Sequence, residues 1–256
     1  MKKKIYLAIS IILILASASL GIYAAGYQLK KLRAERNYTA LRDEARDDEE
    51  GRLVRKQQWN GIEIPDKALN WAEIKMLNQD IYGYIYIPGT RVDTGVLQNA
   101  EDPSFYLTHK ENREESANGA VYTKNSPKDF SASNTVIYGN DPGNGECFST
   151  LNYLEDADFF DRSPYIFIYT PIKIYIFEIF AAYRYDGSEI RDSFSSGDEF
   201  KAYIEDTFTG KDMNARFRRD TRVRLDEDSR IISCLALDGD ENGIKYVVCA
   251  VLLNGQ

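Results

Sequence analysis

A mainly β fold with added helices is what this sequence predicts, on three observations. Tyr and Phe number 18 and 12 against 3 Met, and aromatic and β-branched side chains suit a pleated, half-buried surface. Short apolar runs of strand length, among them YGYIYI, NTVIY and IISCLAL, recur between clusters of turn-forming residues. The closing stretch, residues 231–251, is two such runs around DGDENG and reads as strand, loop and strand. At 256 residues, 43% hydrophobic and 28% charged, the chain carries apolar material for one sizeable core plus accessory segments.

The net charge of -8 argues against a nucleic-acid partner, because phosphate binding calls for a basic face and no run of Lys or Arg is long enough to build one. Three cysteines are too few for a disulfide framework, and the odd count leaves at least one thiol unpaired. Wide cysteine spacing and a single histidine disfavour a structural zinc site, so neither metal nor cofactor is expected.

In chain order, residues 5–27 are uncharged and close to the ~20 needed to cross a bilayer as a helix. Lys2, Lys3 and Lys4 ahead of this stretch predict a cytoplasmic tip and place the remainder outside, although Lys30, Lys31, Arg33 and Arg36 reduce the charge asymmetry. The alternative is a cleaved signal peptide, with small residues at Ala16, Ala18, Ala24 and Ala25; the apolar run exceeds the ~7–15 residues of a typical signal core. Residues 28–60 are dense in charge and strong helix formers and read as a solvated helical stalk. The folded domain is expected over 61–256.

That domain should open with a short amphipathic helix, since Leu69, Ile74 and Leu77 recur at helical spacing after Pro65. Residues 78–98 predict two strands around the turn Pro88-Gly89-Thr90. Residues 105–109 and 119–122 flank a polar loop in which no site is recognised. His109 is the only histidine, and its reading is structural unless a partner for proton transfer lies within reach. NTVIY is a strand running into a loop, GNDPGNGECF, and then an amphipathic helical pattern through Phe148, Leu151 and Leu154. Residues 165–169 and 173–185 form a predicted hairpin, 198–208 a surface helix and 221–225 a short strand.

Several landmarks in fixed order carry a family resemblance: NQDIYGYIYIPGT with VDTGVLQ, then FYLTH, then NTVIYGND with GECF, and finally RIISCLALDGDENGIKYVV. Over about residues 62–253 the sequence resembles the class B sortases, the membrane-anchored cysteine transpeptidases of Gram-positive bacteria. The resemblance implies a closed, eight-stranded sortase-type β-barrel with helices added at its N-terminal end. It also implies a thiolate that forms an acyl-enzyme with a sorting-signal peptide of a cell-surface protein, a histidine that moves protons, and an arginine that supports substrate or oxyanion.

Position by position, this chain departs from that pattern. The family's histidine falls on Asn140, whose amide exchanges no proton near neutral pH. The family's nucleophile falls on Leu237, followed by Asp238, and its arginine on Lys245, which keeps the charge without the two-pronged donor. A one-residue shift puts Ala236 at the nucleophile, and only a three-residue shift brings in Cys234, on the opposite sheet face unless a bulge intervenes. The resemblance therefore implies a catalytically degenerate, extracytoplasmic, membrane-anchored module that binds a sorting-signal-like peptide or a cell-surface protein. The alternative is an active transpeptidase using Cys234 as a relocated nucleophile, with His109 converging on it. Cys147 and Cys249 receive structural readings.

Overall fold

The computed structural model describes residues 57–240 and 242–254. The span expected at 5–27 and the part of the 28–60 stalk up to residue 56 lie outside them; residues 57–60, expected as helix, instead form a strand and turn, because Asn60-Gly61 breaks the charged run with a left-handed turn. Among the described residues, no helix is long and apolar enough to cross a membrane.

The chain divides into two compact units between Asn70 and Trp71. In the first, β1 (Gln57–Trp59) and β2 (Ile62–Ile64) form a small antiparallel hairpin. Asn60 and Gly61, at φ of 46° and 81°, make its two-residue turn, a conformation whose twist suits paired strands.

The second unit opens with α1 (Trp71–Leu77), followed by β3 (Ile81–Tyr86) and β4 (Asp93–Leu97), the strand pair expected around Pro88. After a single 3-10 turn, Phe105–Leu107, come β5 (Asn134–Asn140), a 3-10 segment (Cys147–Glu155) and α2 (Ala157–Arg162). Then follow β6 (Tyr165–Tyr169), β7 (Ile174–Arg184), α3 (Gly197–Asp206), β8 (Arg216–Phe217), β9 (Ile231–Leu237) and β10 (Ile244–Leu252). Helix α3 starts where Ser196 accepts a hydrogen bond from the Glu199 amide, which satisfies one of the donors that a helix start leaves open.

One sheet runs β4-β3-β6-β7-β10-β9-β5, with β8 pairing beside β6 on the same edge of β7. The sheet is curled but it is not the closed eight-stranded barrel expected from the sequence. Edge strands β4 and β5 do not pair with each other. Among the described residues Tyr122 alone bridges both edges, in a parallel bridge to Leu97 and an antiparallel bridge to Tyr138. The physical reason is local: only 120–123 is apolar enough to extend, and the polar, turn-rich residues on either side supply no further ladder. The eighth strand is the two-residue β8, which sits elsewhere. Residues 221–225 also form no strand; there the Arg222 amide donates to the Glu178 carboxylate, buried at 5% exposure, at 2.7 Å.

Both faces of the central strands are covered, which explains runs that are apolar throughout instead of alternating. Along β9, Ile232, Cys234 and Ala236 pack with Tyr82, Ile168, Phe177 and Val248 inside the curl. Ile231, Leu235 and Leu237 join Phe180, Phe200, Ile204 and Val247 on the other face, under α3.

Candidate functional site

The three positions at which the sequence departs from the sortase pattern meet at one end of the sheet. Strand β5 runs parallel to β9 in a register that ends by pairing Asn140 with Leu237. Strand β10 enters antiparallel with Ile244 opposite Leu237, and an irregularity between Ile244 and Tyr246 leaves Lys245 out of the ladder. The strand end is tied by the Asp141 amide donating to the Leu237 carbonyl at 2.6 Å and the Asp238 amide donating to the Gly243 carbonyl at 2.8 Å. Lys245 Nζ donates to the Asp141 carbonyl at 3.0 Å and pairs with Asp238 Oδ1 at 2.9 Å. That ion pair is solvent-exposed, and such pairs contribute ~0–1 kcal/mol.

Asn140 is buried, and its Nδ2 donates to two backbone carbonyls, Leu107 at 2.9 Å and Ala117 at 3.0 Å. Its Oδ1 is buried without a protein partner. Leu237 is 0% exposed. Leu237 offers a hydrocarbon and Asn140 an amide, so neither of these two side chains can attack a carbonyl or exchange a proton near neutral pH.

Gly139 sets where Asn140 lies. A Cβ there would come within 2.6 Å of the Phe148 ring, so β5 passes that ring only because residue 139 has no side chain. Gly139→Ala is expected to cost ~1–3 kcal/mol through overpacking, measured by chemical denaturation, whereas a cost near zero would show that Phe148 yields freely.

Cys234 lies on the face opposite Leu237, between Ile137 of β5 and Val248 of β10, and is 0% exposed. Burial first, then the neighbouring Cys249 and Cys147, pushes its thiol far above the ordinary range, which leaves it neutral and unreactive. Cys249 is equally buried, its thiol pushed up to about 11 by burial against opposing hydrogen bonds from Ser233 and Tyr183. Cys147 is half-buried at a positive φ of 42°.

His109 stacks on Phe105 with ring centroids 3.9 Å apart, and its Nδ1 lies 2.8 Å from the Phe105 carbonyl. Its contacts are local to the surface loop, while Cys234 lies among interior side chains; the structure does not bring the two together. The 105–119 loop, in which the sequence showed no site, supplies both carbonyls that hold Asn140. No side-chain motif announces a backbone acceptor, so only the fold reveals it.

A cavity of about 200 Å³ lies apart from this sheet end, lined by Tyr183, Arg191, Glu199, Tyr203 and Lys211 among others. Arg191 and Glu199 pair with each other at 2.6 Å across its wall. Among the described residues, no group of three or more His, Cys, Asp or Glu side chains is placed to hold a metal ion.

No family model matches the chain. Sortase B of Listeria monocytogenes is 29% identical over 136 residues, covering 52% of this chain and 55% of that protein. Sortase B of Staphylococcus aureus is 24% identical over 141 residues, covering 54% and 57%. The chain thus spans about half the length of the relatives it matches by sequence. The solved structure of Clostridium perfringens sortase B superposes with a TM-score of 0.63 at 27% identity, over 72% of this chain and 100% of that one. The curled, mainly β sheet with few helices is therefore a sortase-like fold. Taken with the sequence relatives, it supports assignment of this chain to the class B sortase family.

Proposed function

We propose that this chain is a membrane-anchored, extracytoplasmic sortase-type protein that has lost catalysis and serves as a peptide-binding or regulatory module in the anchoring of cell-surface proteins. The observation that carries the reading is the register pair Asn140–Leu237, with Leu237 fully buried, where the family resemblance calls for an imidazole and a thiol. Lys245 retains a positive charge beside them. The ligand class follows from relatives: Staphylococcus aureus sortase B is known in complex with substrate, and a sortase B in complex with triglycine. A sorting-signal-like peptide is accordingly the ligand proposed. The anchor rests on the composition of residues 5–27 and on the lysines before them.

Reading the chain as an active transpeptidase through Cys234 draws no support from the geometry, since that thiol is buried, neutral and on the sheet face opposite Leu237. Incubated with a sorting-signal peptide and an amine acceptor, the purified chain is expected to leave the peptide intact by mass spectrometry. Thiol-dependent cleavage or transpeptidation that disappears in Cys234→Ala would overturn the loss of catalysis.

A further inference from the structure

The loop carrying Leu107 and Ala117 is closed on itself. The Ser116 amide donates to the Thr108 carbonyl at 2.8 Å and the Ala120 amide to the Tyr106 carbonyl at 2.8 Å. Gly119, at φ 57°, completes the closure: a Cβ there would lie 2.5 Å from the Leu107 carbonyl oxygen, so no other residue fits. One flank is fixed to the chain ahead of β3, where Tyr106 Oη and Arg113 both donate to Asp80 Oδ2, at 2.6 and 2.7 Å, and Asn78 Nδ2 donates to the Glu111 carbonyl at 2.8 Å. The other flank is held at the sheet end by Asn140, whose one amide nitrogen bonds two carbonyls ten residues apart. Leu107 packs against the outer-face cluster that contains Leu237.

We propose that the 105–119 loop is a cover over the C-terminal end of β9, latched by the Asn140 amide, and that a ligand reaches Leu237 only when the two latch bonds break. The cover assigns Asn140 a task besides the vacated proton transfer: it is a positioning residue that holds a loop across the sheet end. That the arriving ligand is an extended peptide rests on the function proposed above; the latch itself does not.

The test uses the full chain with Cys147→Ser and Leu237→Cys, so that the thiol at 237 is the one new target beside two buried cysteines. Alkylation by iodoacetamide is followed by mass spectrometry, with and without Asn140→Ala. Removing both latch bonds is expected to accelerate labelling at 237 by ~5- to 150-fold, the span of two bonds worth ~0.5–1.5 kcal/mol each, while Cys234 stays unlabelled. Asn140→Asp keeps the size but turns acceptor oxygens toward two carbonyls, and should accelerate labelling similarly. Equal rates in parent and variants, or parent labelling as fast as in denaturant, would overturn the cover. If Asn140→Ala exposes Cys234 through unfolding, Gly119→Ala, which disrupts the loop from its own side, decides by the same criterion. Titration of the same variants with a sorting-signal peptide reads the ligand separately: accelerated labelling without peptide binding keeps the cover and removes the peptide.

Discussion

Asn140→His, Leu237→Cys and Lys245→Arg introduced together are expected to give this chain a thiol centre that forms a covalent acyl adduct with a sorting-signal peptide, detected by intact mass. Register supports the expectation: positions 140 and 237 are direct partners on adjacent strands, and 245 leaves the ladder one residue from the partner of 237. An imidazole at 140 facing the Leu107 carbonyl can donate from one ring nitrogen and leave the other basic, the arrangement a general base requires. Its absence should therefore matter: Leu237→Cys alone is expected to react ~10²–10⁴-fold more slowly, the usual contribution of a positioned acid–base group. Arginine at 245 restores the planar fork that a lysine lacks. Shortening a fully buried leucine carries a stability cost of ~2–3 kcal/mol, checked by a thermal melt alongside the assay. A folded triple variant whose thiol at 237 alkylates readily yet never acylates would remove the proposed assignment of these three positions.

Much of the sheet was legible because its strands are long apolar runs punctuated by turn residues. The hairpins β3–β4, β6–β7 and β9–β10, the strand β5 and the capped α3 fall where periodicity and turn chemistry put them. What was not legible depends on tertiary partners. The β1–β2 hairpin has three-residue strands that barely interrupt a charged segment, and its Asn60-Gly61 turn is the one local cue. Closure of the barrel failed on a stretch where a single residue, Tyr122, does the bridging. At the candidate site, Leu237 and Asn140 were singled out by laying motifs side by side, and β-sheet period two puts Cys234 on the other face, where it packs. The loop that grips Asn140 was invisible because its contribution is two carbonyl oxygens, and every residue has one.

Asp186→Ala is expected to lower stability by ~2–3 kcal/mol, or ~5–10 °C in Tm, although Asp186 touches neither the sheet end nor its loop. The reason is Lys211. Its side chain is 4% exposed, its ammonium donates to Asp186 at 2.8 Å and to Ser188 Oγ at 3.0 Å, and it lies 4.6 Å from the centre of the Tyr183 ring. Removing the carboxylate strands a charge away from water, which costs more than the pair contributed. Removing the lysine instead leaves a carboxylate 28% exposed that water can solvate, so Lys211→Met should cost less than Asp186→Ala. The double variant Lys211→Met with Asp186→Asn should recover most of the loss, because no charge remains to desolvate. Acid gives the same interaction an independent readout. Burial raises the Asp186 carboxyl, but hydrogen bonds from Lys211 and Ser188 outweigh it and hold the group at about 2, below its ordinary 3.8. A depressed folded-state value means the contribution is fully present above the ordinary value and fades as pH falls from about 4 toward 2. Over that window the difference in Tm between the parent and Asp186→Ala should shrink; a difference that stays constant down to the lower limit would show that Asp186 stabilises the fold through something other than its charge.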